Sequence, residues 1–242
     1  MENLKSEINM NIFQICKYFN ITAKGNKVIS KGLINNSWEV VDKSGDTYIV
    51  QEINANVFKN VDALMDNISR VTEHVRKQVE AEGGDVNREV LTLIPTNTLG
   101  KNGKPKYYYT NGKQYYRAYK CIENATTYDQ ADDDLLFQAG VGFGKFQRML
   151  SDFPADTLHE SIKDFHNTPA RYNAFEKKLD NLNFEFYHKA GKEIRAVLKG
   201  FEYVDKIMQP LRDKEIPTRV VHNDTKLNNV MLDNNTHEAV CV

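Results

Sequence analysis

Short runs in which apolar and polar residues alternate occupy the first half of the chain. Residues 28–34, 37–41 and 48–53 predict three strands, with Asn35-Asn36 and Lys43-Ser44-Gly45-Asp46 as the turns between them. Leu64, Ile68, Val71, Val75 and Val79 then recur at spacings of four and three, which puts them on one face of a helix. Asn60 or Asp62 supplies a cap at its start, and Gly83-Gly84 ends it. Residues 90–94 predict another strand. Residues 106–110 and 114–122 flank Asn111-Gly112, a strong hairpin signal.

From about residue 132 the period changes to that of helices. Phe143, Phe146 and Leu150 share one face, and Leu158, Ile162 and Phe165 share another. Ile194, Val197, Leu198, Phe201, Val204 and Met208 predict a long third helix. After Pro217 strands return, over 219–221, 230–232 and 239–242. The expected fold is α+β and two-lobed: a small antiparallel β lobe over residues 1–123, then a mainly helical lobe over 124–242. That order of elements is protein-kinase-like.

Composition narrows the function classes. The chain has 242 residues, 40% hydrophobic and 27% charged, with a formal net charge of -1. That is ordinary for a globular protein. No basic excess points to nucleic acid or an anionic membrane. No apolar run approaches the roughly 20 residues that span a bilayer, and the N-terminus lacks the pattern of a signal peptide. Cys16, Cys121 and Cys241 are widely spaced and odd in number, which argues against a disulfide framework and for a reducing, cytoplasmic setting. His74, His159, His188 and His237 form no metal-ligand pattern. Oligomeric state is not legible.

The segment VVHNDTKLNNVMLD, residues 220–233, concentrates the chemistry. Its core is HxDxxxxN between two apolar strands. Phosphoryl transfer to an alcohol needs a carboxylate to orient the hydroxyl and take its proton, and an oxygen ligand for Mg²⁺ nearby. Asp224 suits the first task and Asn229 the second, with His222 fixing the loop backbone. A polar loop joining two strands would contain similar residues, but the apolar flanks and late position favour a catalytic loop.

This segment resembles the catalytic loop of aminoglycoside phosphotransferases and choline-kinase-like enzymes. YIVQEINANVFKNVDALMDNI, YRAYKCIENATTYD, FGKFQRML and DFHNTPAR are similar to the N-acetylhexosamine 1-kinase group of that superfamily. The resemblance implies ATP and Mg²⁺ as cofactors and a small-molecule sugar as partner, phosphorylated on its anomeric hydroxyl. It also implies that Gly32, Asn35 and Asn36 meet phosphate through a loop over the nucleotide, although one glycine stands where kinases carry GxGxxG. A lysine is expected on the third strand; Gln51 stands there, without charge. Asn67 and Glu73 on the next helix are both candidates to face it. Residues 119–124, including Glu123, should form the hinge that meets adenine.

His166 and Arg171, at the expected end of a helix broken by Pro169, serve either the helix end or the sugar, and Lys226 joins them on the substrate side. Gly140, Gly142 and Gly144 suggest close helix packing. Asp132, Asp133 and Asp134 read as a solvated face, and Asp233 as a surface residue at the start of the last hairpin.

Alternatives within the superfamily are aminoglycoside, choline or homoserine kinases; outside catalysis, Gln51 also suits a pseudokinase. Kinases carry a second acidic metal ligand beyond the loop. Counting from Asp224 reaches the end of this chain before such a residue, so the expectation is a C-terminally shortened lobe and little or no turnover. ATP turnover with N-acetylglucosamine and N-acetylgalactosamine measures this, and robust turnover would contradict it.

Overall fold

The computed structural model describes residues 11–31, 34–100 and 103–242, with backbone only for Ser30 and Lys31. A first helix, α1 (Ile12–Lys17), is capped by the Asn11 side chain, which accepts from the Phe13 N–H. Strands β1 (Ala23–Lys31), β2 (Asn36–Asp42) and β3 (Thr47–Ile53) follow. Helix α2 (Val61–Ala81) leads to β4 (Tyr109–Thr110) and β5 (Tyr115–Lys120). These strands form one antiparallel sheet in the order β1-β2-β3-β5-β4.

Alternation assigns the two faces of the sheet. Trp38, Val50 and Ala118 lie side by side across β2, β3 and β5 and pack with Ile15, Cys16 and Phe19 of the α1 region. Their chain neighbours Ser37, Gln51 and Arg117 are also register partners, on the opposite face. Further along that face, Ile53 and Tyr115 join Leu64 and Met65 of α2. One strand therefore separates two apolar clusters.

Of the two expected caps for α2, Asn60 makes the bond, accepting from the Ala63 N–H. Asp62 instead accepts from the Tyr108 hydroxyl at 2.6 Å. At the other end Gly83 adopts φ +72, and bonds from Gly83 N to Glu80 O and from Gly84 N to Val79 O close a Schellman motif. The Asn111-Gly112 turn forms as expected, with Gly112 at φ +89 and the Asn111 carboxamide accepting from the Lys113 and Gln114 N–H groups.

Several expected elements are absent or altered. Residues 90–94 form no regular strand: Pro95 follows, and only Ile94, Thr92 and Leu93 touch β5. Residues 158–165 are turns and bends, not a helix. Pro169 begins rather than breaks a helix. It lies in the first turn of α4 (Thr168–Leu179), where its missing N–H costs nothing, behind an Asn167 cap. The long third helix starts earlier and stops at Gly200, giving α5 (Phe184–Lys199), a 3-10 turn and a short α6 (Met208–Arg212). Residues 219–221 belong to no strand. Asp132, read as part of a solvated face, caps α3 (Asp133–Met149), and Asp133 and Asp134 lie in its first turn, where the helix dipole favours them.

A second antiparallel sheet joins β6 (Ala125–Thr126), β7 (Met231–Asp233) and β8 (Ala239–Cys241). It carries α3, whose Ala139 packs with fully buried Val230 and Leu232. The chain divides into two compact units: residues 1–161 with 224–242, and residues 162–223. The first holds both sheets with α1, α2 and α3. The second holds α4, α5 and α6, where Tyr172 and Ile194 are buried and the Tyr172 and Phe201 rings approach to 5.2 Å. Cys16, Cys121 and Cys241 are free thiols. Among the described residues, no helix is long and apolar enough to cross a membrane.

Of the three glycines in α3, only Gly142 is tightly packed. A Cβ there would sit 2.9 Å from Val230 Cγ1 and 3.3 Å from Ala239 Cβ, whereas Gly140 and Gly144 meet nothing within 4 Å. Gly142→Ala should therefore destabilise by about 1–3 kcal/mol through overpacking. Gly144→Ala should be neutral or stabilise by up to about 1 kcal/mol. Urea denaturation of the two variants measures both, and equal effects would refute the packing role.

Candidate functional site

Ahead of β7 the chain turns through Asn223 at φ +68 and a 3-10 turn over Leu227–Asn229. The Asn229 side-chain N–H group donates to the Asp224 carbonyl at 2.7 Å and to the Asp224 carboxylate at 3.0 Å. One amide thus closes the loop and orients the carboxylate. The Lys226 N–H donates to the same carbonyl, and Lys226 Nζ lies 3.3 Å from Asp224 Oδ2. Asp224 is 54% exposed and Lys226 50%, so this ion pair contributes at most about 1 kcal/mol to stability. Asn228 anchors the outside of the turn by donating to Asp129 at 2.8 Å.

β7 holds this loop from behind. Val230 is fully buried against α3, and Asp233, expected at the surface, is only 8% exposed. Asp233 accepts from the Asn235 and Thr236 N–H groups and from Arg88 Nη2 at 2.8 Å. The Thr236 amide, then Arg88, then the Asn235 amide pull its carboxyl down from 3.8 to about 2, against partial burial that pushes it up.

The second unit ends at Asn223, whose carbonyl accepts from His166 Nε2 at 2.9 Å. His222 is half-buried. Arg171 Nε donates to the Phe165 carbonyl at 2.7 Å, with its guanidinium over the Phe165 ring. Both residues expected to meet a sugar thus also fix local backbone.

Of the residues expected to meet nucleotide, Gly32 lies outside the described residues. Asn35 Oδ1 accepts from the Asn54 N–H, and Asn36 donates to Glu52, so both side chains tie the loop to β3. Gln51 faces neither Asn67 nor Glu73. Asn67 bonds the backbone of His159, and Glu73 pairs with Lys77. Gln51 Nε2 donates to Ser37 Oγ at 2.9 Å, and its oxygen accepts from Arg117 Nε and Nη2 at 3.1 and 3.0 Å. Glu123 is exposed in the segment after β5, and Asn124 beside it turns through φ +53. Among the described residues, no group of three or more His, Cys, Asp or Glu could hold a metal. A cavity of about 730 Å³ lies along α2, lined by Arg70, Glu73, Arg76 and Tyr107 among others and by none of the expected site residues.

A model of the phosphotransferase enzyme family (APH) matches residues 26–242. The chain belongs to this phosphotransferase family. Its fold is similar to an aminoglycoside phosphotransferase from Alicyclobacillus acidocaldarius, with a TM-score of 0.56 and 11% identity over 100% of this chain and 66% of that one. It is also similar to an AMP-bound spectinomycin phosphotransferase, with a TM-score of 0.54 and 13% identity over 96% of this chain and 67% of that one. For a thermostable mutant of the aminoglycoside phosphotransferase APH(4)-Ia the TM-score is 0.51, with 11% identity over 94% and 68%. The chain spans about two thirds of the length of these structures.

Sequence reading of this phosphotransferase-family chain missed Arg117 as the partner of Gln51 and Asp129 as the anchor of Asn228. Arg117 left one signal, a lone charge inside the aromatic strand YYRAYK. Asp129 left none, since its partner is 99 residues away.

The lowered Asp233 carboxyl predicts a pH dependence. A group whose folded value lies below its free value stabilises in full above about pH 4, and loses that contribution as pH falls through about 2. Asp233→Asn should lower Tm by several degrees at neutral pH, with the gap to wild type narrowing below about pH 4. A gap that stays constant across thermal scans at decreasing pH would contradict this.

Proposed function

We propose that this chain carries the nucleotide-binding and catalytic residues of an ATP-dependent small-molecule kinase. Residues 1–123 take the nucleotide and residues 124–242 the acceptor. The observation that carries this reading is the Asn229 amide laid across the loop onto Asp224, which presents an exposed carboxylate in a fixed orientation. Asp224 accepts the proton of the acceptor hydroxyl. The hydroxyl oxygen forms a bond to the γ-phosphorus, the bond to the β–γ bridging oxygen breaks, and ADP leaves. His222 supports the loop, and Glu123 belongs to the segment that meets adenine. The AMP-bound spectinomycin phosphotransferase among the similar folds supports a nucleotide here.

Mg²⁺ fits one feature of the loop. The Asn229 nitrogen is engaged with Asp224, which leaves its oxygen for a hard cation, and Mg²⁺ ordinarily takes only one or two protein oxygens beside phosphate and water. When bound it would neutralise charge on the phosphates.

The acceptor we propose is an amino sugar, phosphorylated on the anomeric hydroxyl of an N-acetylhexosamine. The resemblance of DFHNTPAR and its companion segments supports that choice. So does the donor pattern of the second unit. His166 donates through Nε2, so the neutral ring offers Nδ1 as an acceptor, while Arg171 retains its Nη donors. An acceptor and a donor together suit a hydroxyl-rich ligand better than a quaternary ammonium, which has no N–H to give. Lys226 adds positive charge beside Asp224.

Transfer of radiolabel from γ-labelled ATP, which registers slow turnover, tests the reading across N-acetylhexosamines, aminoglycosides, choline and homoserine. Asp224→Asn should reduce label transfer by about 100-fold or more while leaving ATP affinity within a few-fold. Undiminished transfer would remove Asp224 from the chemistry. ATP binding with transfer to no acceptor would make the chain a non-catalytic nucleotide binder.

A further inference from the structure

The third strand lacks the cation that phosphate would require, yet a cation stands beside it. Ser37, Gln51 and Arg117 form one row across β2, β3 and β5, on the sheet face away from α1. The Gln51 carboxamide is fixed at both ends. Its nitrogen donates to Ser37, which is buried, and its oxygen therefore faces Arg117 and accepts two of its hydrogens. Arg117 is half-buried and lies 5.3 Å from the Tyr119 ring centroid. Among the described residues it pairs with no aspartate or glutamate, and its Nη1 hydrogens have no protein acceptor.

A half-buried guanidinium with no carboxylate partner is well placed to receive an anion. The planar fork also explains the residue type. One edge is held by Gln51 while the other stays free, a division a lysine ammonium could not make. We infer that Arg117 supplies the positive charge that meets the nucleotide phosphates, one strand away from the usual place, with Gln51 as the residue that positions it. This rests on the nucleotide-binding reading above.

Calorimetric titration of the 242-residue protein with ATP and, separately, with adenosine tests it. Arg117→Gln should weaken ATP binding by roughly ten- to a hundred-fold and leave adenosine unchanged. Adding Gln51→Lys to that variant should restore most of the ATP affinity, a recovery that a merely structural arginine would not show. Should Arg117→Gln fail to fold, Gln51→Ala carries the test: ATP weakened several-fold, adenosine unchanged. Wild-type ATP affinity in the folded variant, or parallel loss of adenosine, overturns the role of Arg117 alone. A wild-type protein that binds neither ligand overturns the nucleotide reading and this inference with it.

Discussion

The loop that carries Asp224 is braced from within by one side-chain amide. Asn229 spans its own turn to reach both the carbonyl and the carboxylate of Asp224. The 3-10 turn over Leu227–Asn229 brings the two residues together, and Val230, next in the chain, anchors the end of the turn by its full burial. Val230 is in turn packed so closely by α3 that only glycine fits at position 142. Orientation of an exposed carboxylate is thus set by apolar packing behind it.

A similar logic governs the large sheet. β3 is central, so its residues Tyr48–Glu52 have register partners on both neighbouring strands. Period-two alternation sends Val50 into the α1 cluster and Gln51 to the other face. A polar residue in the middle of a sheet needs its hydrogen bonds met, and Ser37 and Arg117 meet those of Gln51 from either side. The uncharged residue at that position is therefore built into the sheet.

Local signals were legible and long-range ones were not. The Asn60 cap, the Gly83-Gly84 stop and the Asn111-Gly112 hairpin each depend on a few consecutive residues, and all three formed. The motif itself was legible for the same reason, since Asp224 and Asn229 are five residues apart. Failures came where context decided. Pro169 fits a helix start as well as a helix end, and only the Asn167 side chain behind it selects the start. Residues 90–94 have strand composition, but few of them pair with β5. Asp233 looked superficial because nothing nearby in sequence announces Arg88, 145 residues away. Arg117 required the β3–β5 register, which joins residues 66 apart.

At 11–13% identity to its structural neighbours, the chain shares with them a backbone arrangement rather than a surface. His166 and Arg171, both expected on the substrate side, are engaged with backbone. Each donates one hydrogen to a main-chain carbonyl, at Asn223 and Phe165, and so helps shape the second unit before any ligand arrives. What remains on each ring or fork is a small, directional set of polar atoms. A few side chains can change while a fold stays constant, so family membership fixes the type of reaction far more tightly than the molecule that receives the phosphate.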